Sequence, residues 1–249
     1  MTRLVVAIRD TGIANDYLAA ASRIREVVVV DDFADADAAV GDGSCETGEK
    51  PTLLIAANGS AAGVSRNEKE TCFPAFPLRF DAHVSAIRES VVAGKLGRPG
   101  LLRMHLWGTR SRPIYDGHKL AAIDVALWLV GEELEGARFV RNDDSELHHL
   151  GFQGGAMAML DFTNSLEGEE GYRSLSLIGS GGAAYADDHR DRNLIFRKGI
   201  TEAATPGSQT TCIQPMLADF VQSLGERRGS EKAWGDYRRA ENILRRSGS

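Results

Sequence analysis

The sequence predicts an α/β segment followed by a larger α+β domain, and three observations carry that prediction. Two short β-branched apolar runs, residues 4–8 and 26–30, flank a stretch of helical periodicity. A series of strand-like runs begins at Leu101 and continues to residue 196. Gly-rich or charged turns, such as Phe152-Gln153-Gly154-Gly155 and Gly179-Ser180-Gly181-Gly182, separate those later runs.

Taken in order, residues 4–8 form a continuous apolar run, the pattern of a strand buried on both faces of a parallel sheet. Tyr17, Leu18, Ala21 and Ile24 then recur at helical spacing, and a second buried strand runs to Asp31-Asp32. The result is a β-α-β unit. Residues 33–50 are rich in Asp, Ala and Gly without a clear period, and residues 52–57 are the remaining strand-like run before Cys72. A full dinucleotide-binding fold needs two such halves, for which this stretch is too short. A sheet of two or three strands is marginal alone, so strands 4–8 and 27–30 are expected to pack against residues 79–131.

From Asp81 the character changes. Val84, Ile87, Val91 and Val92 mark a helix that ends at Gly94, and Gly97-Arg98-Pro99-Gly100 turns the chain. Strands are predicted at 101–107, 147–152, 156–163, 173–178, 183–186 and 193–196, which read as a mostly antiparallel sheet. An apolar helix over 120–130 interrupts them. A second helix over 216–224 carries Leu217, Phe220, Val221 and Leu224 on one face.

Composition narrows the function. The 249 residues carry 29 Lys+Arg against 35 Asp+Glu, a formal net charge of −6, which argues against a basic nucleic-acid binder. Cys45, Cys72 and Cys212 are odd in number and widely spaced, so neither a disulfide framework nor a zinc set is expected. The apolar runs are far below the ~20 residues that span a bilayer. The N-terminus has no signal-peptide core, and a cytoplasmic protein without membrane or nucleic-acid partners is expected.

Short matches spread over residues 79–249 carry a family resemblance. Arg79-Phe80 is followed by IRESVVAGKLG over residues 87–97, by Ala126-Leu127-Trp128-Leu129-Val130-Gly131, by Leu150-Gly151-Phe152-Gln153-Gly154-Gly155-Ala156, by Ile178-Gly179-Ser180-Gly181-Gly182 and by Leu217-Ala218-Asp219-Phe220-Val221. In order and spacing they resemble the C-terminal domain of the Gfo/Idh/MocA family, named for glucose-fructose oxidoreductase and inositol dehydrogenase. The resemblance implies a reduced Rossmann-like domain over residues 1–78. It implies a Gfo/Idh/MocA-type domain over 79–249, with a large, mostly antiparallel, open-faced sheet.

The same resemblance singles out candidate site residues. The family opens with a strand and G-x-G-G-I-A, whereas this chain reads Arg9-Asp10-Thr11-Gly12-Ile13-Ala14 and keeps only the end of the motif. Gly12 and Ile13 are the candidate phosphate-loop residues. Arg9 and Thr11 put side chains where phosphate oxygens would sit, although Arg9 has a charge of its own to offer them. Asp31, 19 residues after Gly12, stands where a carboxylate would accept from a ribose hydroxyl; its alternative is a solvated strand end. Glu49-Lys50-Pro51 matches the family's EKP, whose lysine lies beside nicotinamide and substrate. The competing alignment makes residues 52–57 the strand before that motif and leaves Lys50 a surface charge.

Active members carry D-x-x-x-H-x-x-D where this chain has Tyr115 to Asp124. Anchoring on Asp124 and Trp128 puts Gly117 at the first aspartate and Ala121 at the histidine, so both proton-exchanging side chains are missing. His118, one turn before Ala121, is the candidate shifted base, with Asp116 or Tyr115 beside it.

His148 and His149 are adjacent in a strand and point to opposite faces, poor geometry for one metal, and no metal site is expected. His105, Arg103 and Trp107 share a sheet face, a surface for a stacked sugar or for an interface. The leading expectation is therefore a family member that has lost dehydrogenase activity, a binding or scaffolding subunit without cofactor. As the resemblance implies, it would assemble through the open sheet as a homo-oligomer or beside an active paralogue, with a sugar-like ligand. The alternative is an active NAD(P)-dependent oxidoreductase on a sugar or polyol, using Lys50, His118 and Asp124. A non-redox reaction in the sheet groove, with His105 and Arg103, is a third.

Overall fold

The computed structural model describes residues 1–8, 10–42, 49–56, 70–187, 192–197, 200–204 and 212–248, with side chains described outside 192–204. Arg9 and Cys45 lie outside the described residues. The chain divides into two compact units: Met1–Phe80 with Tyr115–Gly117 and Thr211–Glu241, and Asp81–Ile114 with His118–Thr210 and Asn242–Ser249.

The first unit is a five-stranded parallel sheet. Its strands are β1 (Thr2–Ala7), β2 (Val27–Val29), β3 (Ala38–Gly41), β4 (Thr52–Leu54) and β5 (Cys72–Pro74), in the order β2-β1-β3-β4-β5. Helix α1 (Thr11–Ala21) joins β1 to β2, whereas only a single 3-10 turn, Phe33–Asp35, separates β2 from β3. Five strands replace the two or three read from the sequence. All four residues of β3 are buried, which removes the alternation that would mark it, and β5 is three residues ending in proline.

Residues β1, β2, β3 and β4 send to one face, Leu4, Val27, Val40, Leu53 and Ile55 among them, close over Tyr17, Ala20 and Ala21 of α1. Met216, Leu217 and Phe220 of helix α4 (Ile213–Gly225) complete this core. Of residues 79–131, expected to cover β1 and β2, Phe80 packs on this core, and a helix from the far end of the chain supplies most of the covering face. On the opposite face Val5, Ala36 and Ala39 form a smaller cluster with Val30 and Phe33. Trp234, on helix α5 (Glu231–Ser247), donates its Nε1–H to the Cys72 carbonyl at 2.8 Å.

The second unit is an eight-stranded sheet of β6 (Pro99–Thr109), β7 (Leu134–Arg141), β8 (Ser145–Phe152), β9 (Met157–Leu166), β10 (Tyr172–Gly179), β11 (Gly182–Asp187), β12 (Arg192–Arg197) and β13 (Ile200–Ala204). Its order is β13-β12-β11-β10-β6-β9-β8-β7, with β6 and β9 parallel and every other pair antiparallel. The six predicted strands are present, and β7 and β13 are added. In β7 the run Leu134–Arg141 breaks its alternation at Gly136 and Ala137, and every residue is at least partly exposed, as suits an edge strand.

Alternate residues of this sheet face inward. Leu102, Met104, Leu106, Leu150, Phe152, Leu160, Phe162, Leu175 and Leu177 are all buried. Helix α2 (Ala82–Val92) lies against β11, and helix α3 (Asp116–Val130) is tied to β8 by Lys119 and Glu146. The turn after α2 needs Gly97: its φ is +67°, and a Cβ there would come within 2.7 Å of the Gly181 nitrogen. Among the described residues no helix is long and apolar enough to cross a membrane.

Candidate functional site

In an open parallel sheet, ligands bind beyond the carboxyl ends of the strands, at the point where strand order reverses. Here that point lies between β1 and β3. The chain leaving β1 enters α1 through Asp10, whose carboxylate Oδ1 accepts from the backbone N–H of Gly12 at 2.9 Å and of Ile13 at 3.1 Å. Gly12 and Ile13 are therefore at the expected place, but their amides are already held by an anion of the chain itself. Asp31 is exposed beyond the carboxyl end of β2, on the same edge of the sheet. With Asp10, Asp32 and Asp42 it makes this edge acidic among the described residues.

Lys50 stands at the opposite, amino edge. It immediately precedes β4, and its Nζ donates to the Ala36 carbonyl at 2.5 Å, just before β3 begins. The carboxyl end of β4 is reached at Leu54, close to the other alignment of the family motif. Replacing Lys50 by methionine is expected to cost about 1 kcal/mol through loss of this one hydrogen bond. A denaturation midpoint measures it, and a large loss of any turnover on that substitution would instead place Lys50 in the chemistry.

His118 and Asp124 lie on α3 in the second unit. Six residues apart, they are about 120° apart around the helix and do not face one another. Asp124 is buried, whereas His118 is exposed in the helix's first turn; the protein around the ring still desolvates it enough to lower its pKa below the usual histidine value. Gly117 and Ala121 stand on this helix as read, and neither carries a titratable group.

The open face of the eight-stranded sheet collects the other candidates. By strand register His105 is opposite Asp161, with Nδ1 3.4 Å from Oδ2, and Arg103 is opposite Met159. Trp107 meets His105 edge-on at 5.4 Å and Tyr172 at 5.1 Å. Arg103, His105 and Trp107 do share a face. His149 is on that face too, while His148 points inward and is fully buried, so the two histidines diverge as their adjacency requires. Among the described residues no group of three metal-ligating side chains forms.

The sequence reading missed a partly buried charge cluster behind this face. Glu146 Oε1 accepts from Lys119 Nζ at 2.8 Å and from Arg141 Nη2 at 2.6 Å, and Oε2 accepts from His148 Nε2 at 3.1 Å. Burial alone would raise the Glu146 pKa, but the hydrogen bonds from Lys119 and His148 and the Arg141 charge outweigh it and hold the carboxyl below its ordinary value. His148 is lowered, chiefly by desolvation and further by the Lys119 and Arg141 charges, against the opposing pull of Glu146. Glu146 and His148 alternate on one side of β8, a signal that could have been read.

Comparison with known proteins places this architecture. No protein-family model matches the chain. The myo-inositol 2-dehydrogenase of Thermotoga maritima is 27% identical over 176 residues, which are 59% of this chain and 51% of that protein. The chain thus spans about half the length of the curated relative it matches. An aldose-aldose oxidoreductase from Caulobacter crescentus, solved with glycerol, superposes with a TM-score of 0.76 at 13% identity, over 99% of this chain and 97% of that one. An oxidoreductase from Agrobacterium radiobacter, solved with NAD+, L-tartaric acid and magnesium, gives 0.73 at 11% identity, over 100% and 96%. A probable dehydrogenase from Thermotoga maritima gives 0.72 at 16%, over 98% and 96%.

A parallel Rossmann-like sheet together with a large, mostly antiparallel sheet is the fold of the Gfo/Idh/MocA-type oxidoreductases. The resemblance read from the sequence is borne out at the level of fold: the chain has the Gfo/Idh/MocA-type architecture.

Proposed function

We propose that this Gfo/Idh/MocA-type chain derives from oxidoreductases of sugar-like substrates and now works as a binding or assembly subunit rather than as a dehydrogenase. One observation carries the reading: the Asp10 carboxylate accepts from the Gly12 and Ile13 amides at the start of α1. Those N–H groups are the ones a dinucleotide pyrophosphate needs, and a fixed carboxylate both fills them and repels phosphate. The residues present do not fit the pyrophosphate of NAD(P). Gly117 and Ala121 add to this, since a helix without the family's Asp/His pair lacks the usual acid/base group. Lys50 at the amino edge of the sheet is read as a structural tie.

Assembly is assigned to the open sheet face, where Val140, Met157, Ile178 and Tyr185 are exposed beside Trp107 and Leu147. The partner is a second copy or an active paralogue, and the ligand a sugar-like molecule. The placement is cytoplasmic.

A second reading keeps NAD(P)-dependent oxidation of a sugar or polyol, with Lys50, His118 and Asp124 in the chemistry. Asp31 on the same sheet edge as the α1 N-terminus favours it. Titrating the purified protein with NADH and NADPH, following cofactor fluorescence and with light scattering on the same sample, separates the two. The first reading expects a folded oligomer with no saturable binding. Micromolar binding, with turnover lost in His118→Ala, would replace it with the second.

A further inference from the structure

Three potential cations, Lys119, Arg141 and His148, converge on the carboxylate of Glu146. A carboxylate only accepts, so the proton shared with Glu146 Oε2 resides on His148 Nε2 and the neutral ring leaves its lone pair on Nδ1. That atom is buried and has no hydrogen-bond partner. The ring is boxed by Phe139 of β7 and Phe162 of β9, whose ring centroids lie 4.9 and 5.0 Å away and edge-on, and Leu160 is its register partner on β9. From α3 it faces Lys119. The buried acid of that helix, Asp124, is five residues further on, about 140° round the axis. From β7 it faces Arg141, and from its own strand Glu146.

A second proton on His148 has one place to go, and that place offers no acceptor. It would put a positive charge beside those of Lys119 and Arg141 and a buried N–H against two phenyl rings. The cheapest relief is to admit water, and the structure has a part able to move: β7 is the terminal strand of the sheet, bonded on one side to β8 alone. The helix end is held by the same carboxylate, through Lys119.

We propose that this cluster is an acid-released latch: protonation of His148 at Nδ1 frees the β7 edge strand from β8 and loosens the first turn of α3. The latch is closed at neutral pH, where the ring is uncharged. Because Arg138 and Val140 of β7 belong to the open face of the sheet, release would also reshape that surface at its edge. Its failure is distinguishable from failure of the cofactor reading, because no step involves NAD(P) or turnover.

Amide hydrogen exchange on the full chain, corrected for the intrinsic pH dependence of exchange, tests it at about pH 7.5 and about pH 5.5, either side of the ordinary histidine value. In the wild type, exchange in β7 and in the first turn of α3 should rise about tenfold at the lower pH, while β6 and β9 stay protected. His148→Gln, which keeps a donor but cannot charge, should abolish the rise; His149→Gln, on the opposite face, should leave it. Equal protection at both pH values, or a rise that survives in His148→Gln, would overturn the latch. If that variant does not fold, the wild-type imidazole nitrogen resonances decide. Their titration must coincide with the loss of β7 protection, and a ring that stays neutral while β7 opens refutes the proposal.

Discussion

Phe220→Ala is expected to destabilise the first unit by about 3–5 kcal/mol, the usual cost of emptying a fully packed aromatic site. Phe220 is 3% exposed, meets Phe73 edge-on with 5.6 Å between ring centroids, and is part of the core formed by α4 with α1 and the parallel sheet. Chemical denaturation followed by the fluorescence of Trp234, buried in the same unit, would report the loss. Val92→Ala, at a site 71% exposed, provides the control and should change stability by less than about 0.5 kcal/mol. A cost below about 1 kcal/mol for Phe220→Ala would mean that α4 is not seated on the sheet, contrary to the fold described above.

Glu146→Ala should be nearly as damaging, about 3 kcal/mol. Removing this carboxylate takes away the acceptor shared by Lys119, Arg141 and His148 in a partly buried cluster, and the figure sits at the low end because Arg141 is half exposed and can turn to solvent. Glu146→Gln keeps an acceptor and should lose less. The pH dependence has a defined sign. His148 has a lowered pKa in the folded state, so its contribution is complete above its unfolded value of about 6.5 and falls away as pH drops through the folded value. Glu146 is also lowered, so its contribution holds above about 4.3 and is lost as pH falls through its own folded value. Acid therefore acts on the cluster in two windows, histidine first. Stability curves that are flat between about pH 7 and 5, in the wild type, would contradict the first window.

Much of the fold was legible because it is written in local periodicity. Residues 4–8 and 26–30 announced buried parallel strands, Val84 and Ile87 a helix, and six runs after Leu101 the strands of the large sheet. What escaped had no period to show. The strand Ala38–Gly41 is small and buried throughout, Cys72–Pro74 is three residues long, and the edge strand Leu134–Arg141 is interrupted near Gly136. The expected boundary at residues 78 and 79 placed everything beyond it in one domain, whereas α4 and the first part of α5 belong with the N-terminal sheet. An amphipathic helix reveals that it has an apolar face, and its sequence does not say which surface that face will meet.

The candidate site divides in the same way. Gly12, Ile13 and Asp31 could be placed at the carboxyl edge from a strand-helix-strand pattern, because chain direction in a parallel sheet sets where each strand ends. Lys50 could not, since a tripeptide match is blind to whether the residue precedes or follows its strand. The sequence alone determined the class of architecture, the acidic charge, the absence of Asp and His at positions 117 and 121, and the opposed faces of His148 and His149. Tertiary structure alone decided that Asp10 caps the amides of Gly12 and Ile13, that Lys50 lies at the amino edge, and that Lys119, Arg141 and His148 share the Glu146 carboxylate. The division has a physical cause. Periodicity and composition act through neighbours along the chain, whereas a hydrogen bond or an ion pair depends on where groups remote in sequence come to rest, and on how little water is left between them.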